Sequence, residues 1–137
     1  MTGATAIHTC FITGCGGFIG SHLAEWLLSR GCRSVGITRR NTRHIAPLTG
    51  HLEVHTCEVT DRAQLVSLIR AVQPEFVFHL AALDVIPASW DDPQATFEVN
   101  LLGTVCLLEA VREARPDAVV QIAGSGVEYG PSTPEEL

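Results

Sequence analysis

The sequence has no lysine, one methionine and one tyrosine among its 137 residues, so all nine basic side chains are arginines and no side-chain amine is available for chemistry. No apolar run approaches the ~18 residues of a membrane-spanning helix, so no contact with a membrane is expected. No basic region ahead of a long apolar stretch follows Met1, which leaves the cytoplasm as the expected location. C-x-x-C pairs are missing too. The five cysteines, Cys10, Cys15, Cys32, Cys57 and Cys106, are odd in number, and reduced thiols are expected. Charged residues make up only 18%, and the 12 glycines and 7 prolines follow no period, which excludes disorder, collagen and coiled coil. What remains, with 46% hydrophobic residues, is one globular domain over 1–137 that needs neither disulfide nor structural metal to fold.

Two charge features narrow the partners. The net charge of -6 divides unevenly: residues 1–74 hold seven arginines against four acids, and residues 75–137 hold eleven acids against Arg112 and Arg115. Five arginines fall between Arg30 and Arg43, with no acid between Trp26 and Leu52. Such a cluster suits one anion and is too short for a nucleic-acid footprint, which needs a broad basic face. The six histidines give no metal site. His51 and His55 lie in or beside an alternating, strand-like stretch, where residues four apart are about 13 Å apart.

Short apolar runs alternate with amphipathic segments, the rhythm of βαβ units. Strands are expected at Ile7 to Thr13, Ser34 to Thr38, Leu52 to Cys57, Phe76 to Ala82 and Ala118 to Ala123. Helices are expected at Phe18 to Ser29, with Ile19, Leu23, Trp26 and Leu27 on its inner stripe, at Asp61 to Arg70, and as one long rod from Pro93 to Ala114. Residues 131–137 read as a loop. Right-handed crossovers between apolar strands give an α/β fold with a doubly wound parallel sheet in the order 3-2-1-4-5, a Rossmann fold.

Between the first strand and helix lies Thr13-Gly14-Cys15-Gly16-Gly17-Phe18-Ile19-Gly20. Gly14, Gly17 and Gly20 have the G-x-x-G-x-x-G spacing that lets backbone N–H groups reach a pyrophosphate and a helix pack tightly on its strand. Cys15 has no basic partner in sequence and reads as a spacer rather than a nucleophile.

These residues resemble the extended short-chain dehydrogenase/reductases that act on nucleotide sugars, the NAD-dependent epimerase/dehydratase family. Thr13 to Leu23 is similar to its cofactor fingerprint, and Glu58-Val59-Thr60-Asp61 to its adenine-pocket turn, with Glu where Asp is usual. His79-Leu80-Ala81-Ala82 resembles the strand end beside the nicotinamide ribose, and Asn100-Leu101-Leu102-Gly103-Thr104 the N-x-x-G-T helix. Gly124-Ser125-Gly126-Val127-Glu128-Tyr129-Gly130 lines up with the segment carrying the catalytic Ser/Thr, at Ser125. Ser89-Trp90-Asp91-Asp92-Pro93 and the G-S-x-x-E-Y-G string are nearest the branch of GDP-mannose 4,6-dehydratase and the GDP-4-keto-6-deoxymannose reductases, which implies a GDP-linked sugar as substrate. Strand five, Ala118 to Ala123, would normally be flanked by a sixth strand, and its open edge leads to the expectation of self-association as a homo-oligomer.

An NAD site ends its second strand in a carboxylate, whereas an NADP site puts cations there. Here Thr38 is followed by Arg39 and Arg40, with Arg43 close behind, so a 2'-phosphate clamp and NADP are expected, NAD being the alternative. A 4,6-dehydratase takes its acid and base from the positions after the catalytic Ser/Thr. Gly126 and Val127 transfer no proton, which favours 4-ketoreduction or epimerisation over dehydration. The family's Tyr-x-x-x-Lys pair is absent: Tyr129 is the only tyrosine and Thr133 stands four places on. The chain therefore reads as the cofactor half of a larger enzyme, inactive alone and lacking the carboxyl-terminal strands and substrate lobe. The alternatives are a 4,6-dehydratase fragment, a non-catalytic NADP(H)-binding sensor or scaffold, and a half completed by a separately encoded chain.

Overall fold

A computed structural model describes residues 7–39, 43–83, 86–125 and Gly130. Its strands β1 (Thr9–Thr13), β2 (Arg33–Thr38), β3 (Glu53–Thr56), β4 (Phe76–His79) and β5 (Val119–Ile122) form one sheet in the order β3-β2-β1-β4-β5. Every pairing is parallel, as the apolar runs and crossover spacing require. Phe11 lies opposite both Val35 and Val77, which fixes the register at the centre of the sheet.

Alternation along the strands sends two sets of side chains to opposite faces. On one face Phe11, Val35, Ile37 and Val77 meet α2 (Arg62–Val72) and α5 (Gly103–Ala114) through Leu65, Ile69 and Leu107. Asp61 caps α2 as expected, its carboxylate accepting from the Gln64 N–H at 3.0 Å. On the other face Cys10, Ile12 and Cys15 meet α1 (Phe18–Ser29) through Ala24 and Leu27. Ile45, from a 3-10 helix at Arg43–Leu48, completes that side.

Two expectations need correction. The inner stripe of α1 is Gly20, Ser21, Ala24 and Leu27, while Ile19 is 65% and Trp26 53% exposed. The helix approaches the sheet so closely that only small residues fit beneath its first turns, which rotates the larger ones outward. The rod from Pro93 to Ala114 is continuous but not uniform: α4 (Pro93–Phe97) passes through a π-helical turn at Glu98–Leu102 into α5. The backbone stays right-handed helical at Glu98 and Gly103, so this is one rod with a widened turn. The 3-10 helix and α3 (Ile86–Asp91) answer to no expectation from sequence. Residues 131–137, Gly126 to Tyr129, and Arg40 lie outside the described residues.

Candidate nucleotide-binding site

The strand order reverses between β1 and β4, and at that point the loops beyond the carboxyl ends of the strands part to leave a cleft of about 460 Å³. Gly14 and Gly17 line it from the β1–α1 loop, and Leu80, Ala81 and Ala82 from the end of β4. Opposite them are Ile37, Thr38 and Arg39 from β2, with Cys57, Glu58 and Val59 from the end of β3. Val99, on the π-helical turn, closes the rim.

The glycines have separable jobs. Gly14 has φ +72°, and a Cβ there would lie 2.8 Å from the Ala81 nitrogen, so neither its conformation nor its neighbour admits a side chain. Its N–H and that of Cys15 both donate to the Ile37 carbonyl, at 3.0 and 3.2 Å, which ties the loop to β2. At Gly20 a Cβ would come within 2.3 Å of the Gly14 carbonyl oxygen, so its absence lets α1 close on the loop. Gly17 is different. It is exposed, caps α1 without a side chain, and would set a Cβ 3.3 Å from the Gly14 oxygen. Its lack of a side chain leaves the amide groups of the first turn of a 12-residue helix open to an anion in the cleft. Gly16 is buried within the loop, while Phe18 and Ile19 are exposed and stand outside the cleft lining.

Cys15 is fully buried, and its sulfur fills the space where a side chain at Gly36 would stand: a Cβ there would lie 2.5 Å from Sγ. Burial pushes its thiol up to about 11, so it is no nucleophile at neutral pH. The reading as a spacer is correct, and the residue it spaces against is Gly36.

Arg39 reaches the cleft from the end of β2, its Nε 3.9 Å from Glu58 Oε2, with both side chains about half exposed. Thr38 is buried beside it. Arg43 begins the 3-10 helix, is exposed, and is outside the cleft lining. Thr13 is fully buried and serves the strands rather than the lining, its hydroxyl 2.7 Å from His79 Nδ1. Asn100 turns its amide to the backbone of Leu83. Ser125, exposed, lies three residues beyond β5. The sequence reading missed Ile37, Cys57 and Val99. The first two occupy the ends of β2 and β3, where a doubly wound sheet always builds its crevice. No helix among the described residues is long and apolar enough to cross a membrane.

Parallel strands, glycine-lined turn and cleft at the switch point together define an α/β protein of the doubly wound, nucleotide-binding class. The chain belongs to the NAD-dependent epimerase/dehydratase family of extended short-chain dehydrogenase/reductases: the family model described as GDP-mannose 4,6 dehydratase matches residues 11–136. It is 38% identical to GDP-mannose 4,6 dehydratase 2 of Caenorhabditis elegans, over 76% of this chain and 31% of the relative. Identity to the UDP-glucose 4-epimerase of Mycolicibacterium smegmatis is also 38%, over 87% and 39%. The crystal structure of UDP-glucose 4-epimerase from Brucella ovis in complex with NAD superposes with a TM-score of 0.82 at 27% identity, covering 92% of this chain and 38% of that one. The chain thus spans about a third of the length of the relatives it matches.

Proposed function

We propose that this chain is the cofactor-binding half of an NADP(H)-dependent nucleotide-sugar oxidoreductase of the 4-ketoreductase or epimerase type. The carrying observation is the cleft itself, with glycines where a phosphate backbone would pass and Arg39 at the end of β2 where a carboxylate would mark an NAD site. When bound, the nicotinamide would exchange a hydride with a sugar carbon. The chain's own residues do the rest. Gly17 and the first turn of α1 receive the pyrophosphate, Arg39 with Arg40 and Arg43 takes the 2'-phosphate, and Glu58 and Val59 flank the adenine. Leu80, Ala81 and Ala82 form the wall along the nicotinamide ribose, and Ser125 hydrogen-bonds a substrate hydroxyl.

The family model and the GDP-mannose relatives support a second reading, a 4,6-dehydratase acting on a GDP-sugar. Against it stand Gly126 and Val127, which offer no acid or base after Ser125. The test is calorimetric titration of the 137-residue chain with NADPH and NADH. NADPH is expected to bind tighter by about ten- to a hundredfold, the worth of a charge-assisted phosphate contact. Equal affinities would remove the clamp, and no binding of either would remove the cofactor reading. With no lysine to complete the catalytic pair, the chain alone is expected to oxidise no NADPH when offered 4-keto nucleotide sugars.

A further inference from the structure

Behind the β4 wall of the cleft, the side chains of Thr13, His79 and Thr104 form one path of hydrogen bonds that ends on the backbone of Asn100. Thr13 Oγ1 accepts from the N–H groups of Leu80 at 3.2 Å and Ala81 at 3.1 Å, and lies 2.7 Å from His79 Nδ1. With its acceptor positions taken, the Thr13 hydroxyl gives its proton to Nδ1, which must be the bare ring nitrogen. On the far side of the ring His79 Nε2 lies 2.9 Å from Thr104 Oγ1, and the Thr104 hydroxyl donates to the Asn100 carbonyl at 2.6 Å. A hydroxyl has one proton to give, so Nε2 carries the hydrogen. Only the neutral Nε2–H tautomer satisfies every member. The Asn100 side chain in turn meets Leu83: Oδ1 accepts from the Leu83 N–H at 2.8 Å and Nδ2 donates to the Leu83 carbonyl at 3.0 Å.

We propose that Thr13, His79, Thr104 and Asn100 are positioning residues that hold the Leu80–Leu83 segment in the shape a dinucleotide requires. The inference rests on the cofactor reading of the cleft. Past His79 the segment has left the regular sheet, and these side chains grip it at both ends. His79 is buried, and burying an imidazole costs free energy unless both nitrogens find partners, as they do here. The π-helical turn supplies the geometry on the helix side: it carries Val99 at the cleft rim and Asn100 against Leu83. A shift of the wall would also reach the glycine loop, because Gly14 abuts Leu80 and Ala81 with no room for even a methyl group.

The experiment compares Thr104→Val, which keeps the shape and removes the hydroxyl, with Thr104→Ser, which keeps the hydroxyl, in the full 137-residue chain. NADPH affinity by calorimetry, at a temperature where all three proteins are folded, is expected to fall about tenfold in the Val variant and to return in the Ser variant. Amide exchange without cofactor is expected to accelerate at Leu80, Ala81 and Leu83 in Thr104→Val, relative to the strand amides of Phe11 and Val35. Unchanged exchange at those three amides, or a Ser variant as impaired as the Val variant, overturns the proposal. A wild-type chain that binds no dinucleotide overturns the cofactor reading, and the exchange measurement still decides whether the four residues hold the wall.

Discussion

The two faces of the sheet are built on different terms. Toward α2 and α5 the contacts are between large apolar side chains, Phe11, Ile37, Leu65, Ile69 and Leu107 among them, all buried. Toward α1 the first turns of the helix meet the sheet through backbone and small residues, with Gly20 on Gly14 and Cys15 on Gly36; Ile19 and Trp26 face away, and only farther along does Leu27 pack inward. The first face carries stability by excluded apolar area. The second gives up such area to bring a helix end within reach of the cleft, so a stability defect and a binding defect should separate between them.

Truncation on the large-residue face should do most harm. Leu107→Ala is expected to lower the unfolding free energy by about 2–5 kcal/mol in urea titration, and a loss under about 1 kcal/mol would mean that this face is not where stability resides. The glycine face should split between two neighbours in one loop. Gly20→Ala drives a methyl group into the Gly14 backbone and is expected to cost about 1–3 kcal/mol together with NADPH binding. Gly17→Val, at an exposed position, is expected to keep the circular dichroism of the wild type and lose NADPH binding alone. If both variants unfold alike, the division fails.

Smaller effects sharpen the contrast. Among the described residues β5 pairs only with β4 and leaves Val119 59% exposed, so the chain is expected to associate with rising concentration in light scattering, and less so as Val119→Lys. Burial holds the His79 imidazole below its usual 6.5, so the unfolded chain takes up a proton at higher pH than the folded one. The stability tied to it is whole above about pH 6.5 and falls as the pH drops toward the folded value. The pH slope of the unfolding midpoint is expected to be flatter in His79→Gln. Trp26→Ser should matter least, within about 1 kcal/mol, because the indole is exposed and the Arg30 guanidinium lies over its ring at 5.0 Å, a pairing of small worth at the surface.

Much of this was legible beforehand, for identifiable reasons. The strands announced themselves because a parallel sheet covered on both faces needs continuous apolar runs, and Asp61 announced α2 because a capping carboxylate must precede its helix. The glycine spacing and Arg39 marked the cleft, since both residue types are there for what they do to an anion. Half of the α1 stripe was misread: Leu23 and Leu27 do pack inward, but Ile19 and Trp26 do not, because periodicity counts large apolar residues and the start of this helix packs through Gly20, Ser21 and Ala24. The part played by His79 and Thr104 was hidden for another reason: they lie 25 residues apart and meet only after β4 and α5 have packed.

The contact between Cys15 and Gly36 makes the loop its own reporter. Sealed under α1 and held as a thiol by burial, Cys15 meets a maleimide only when the glycine turn lifts from β2. Cys32 and Cys106, half buried, mark the baseline for thiols that need no such opening. The lag of Cys15 behind them therefore clocks how often the turn opens, and a dinucleotide seated in the cleft should slow that clock.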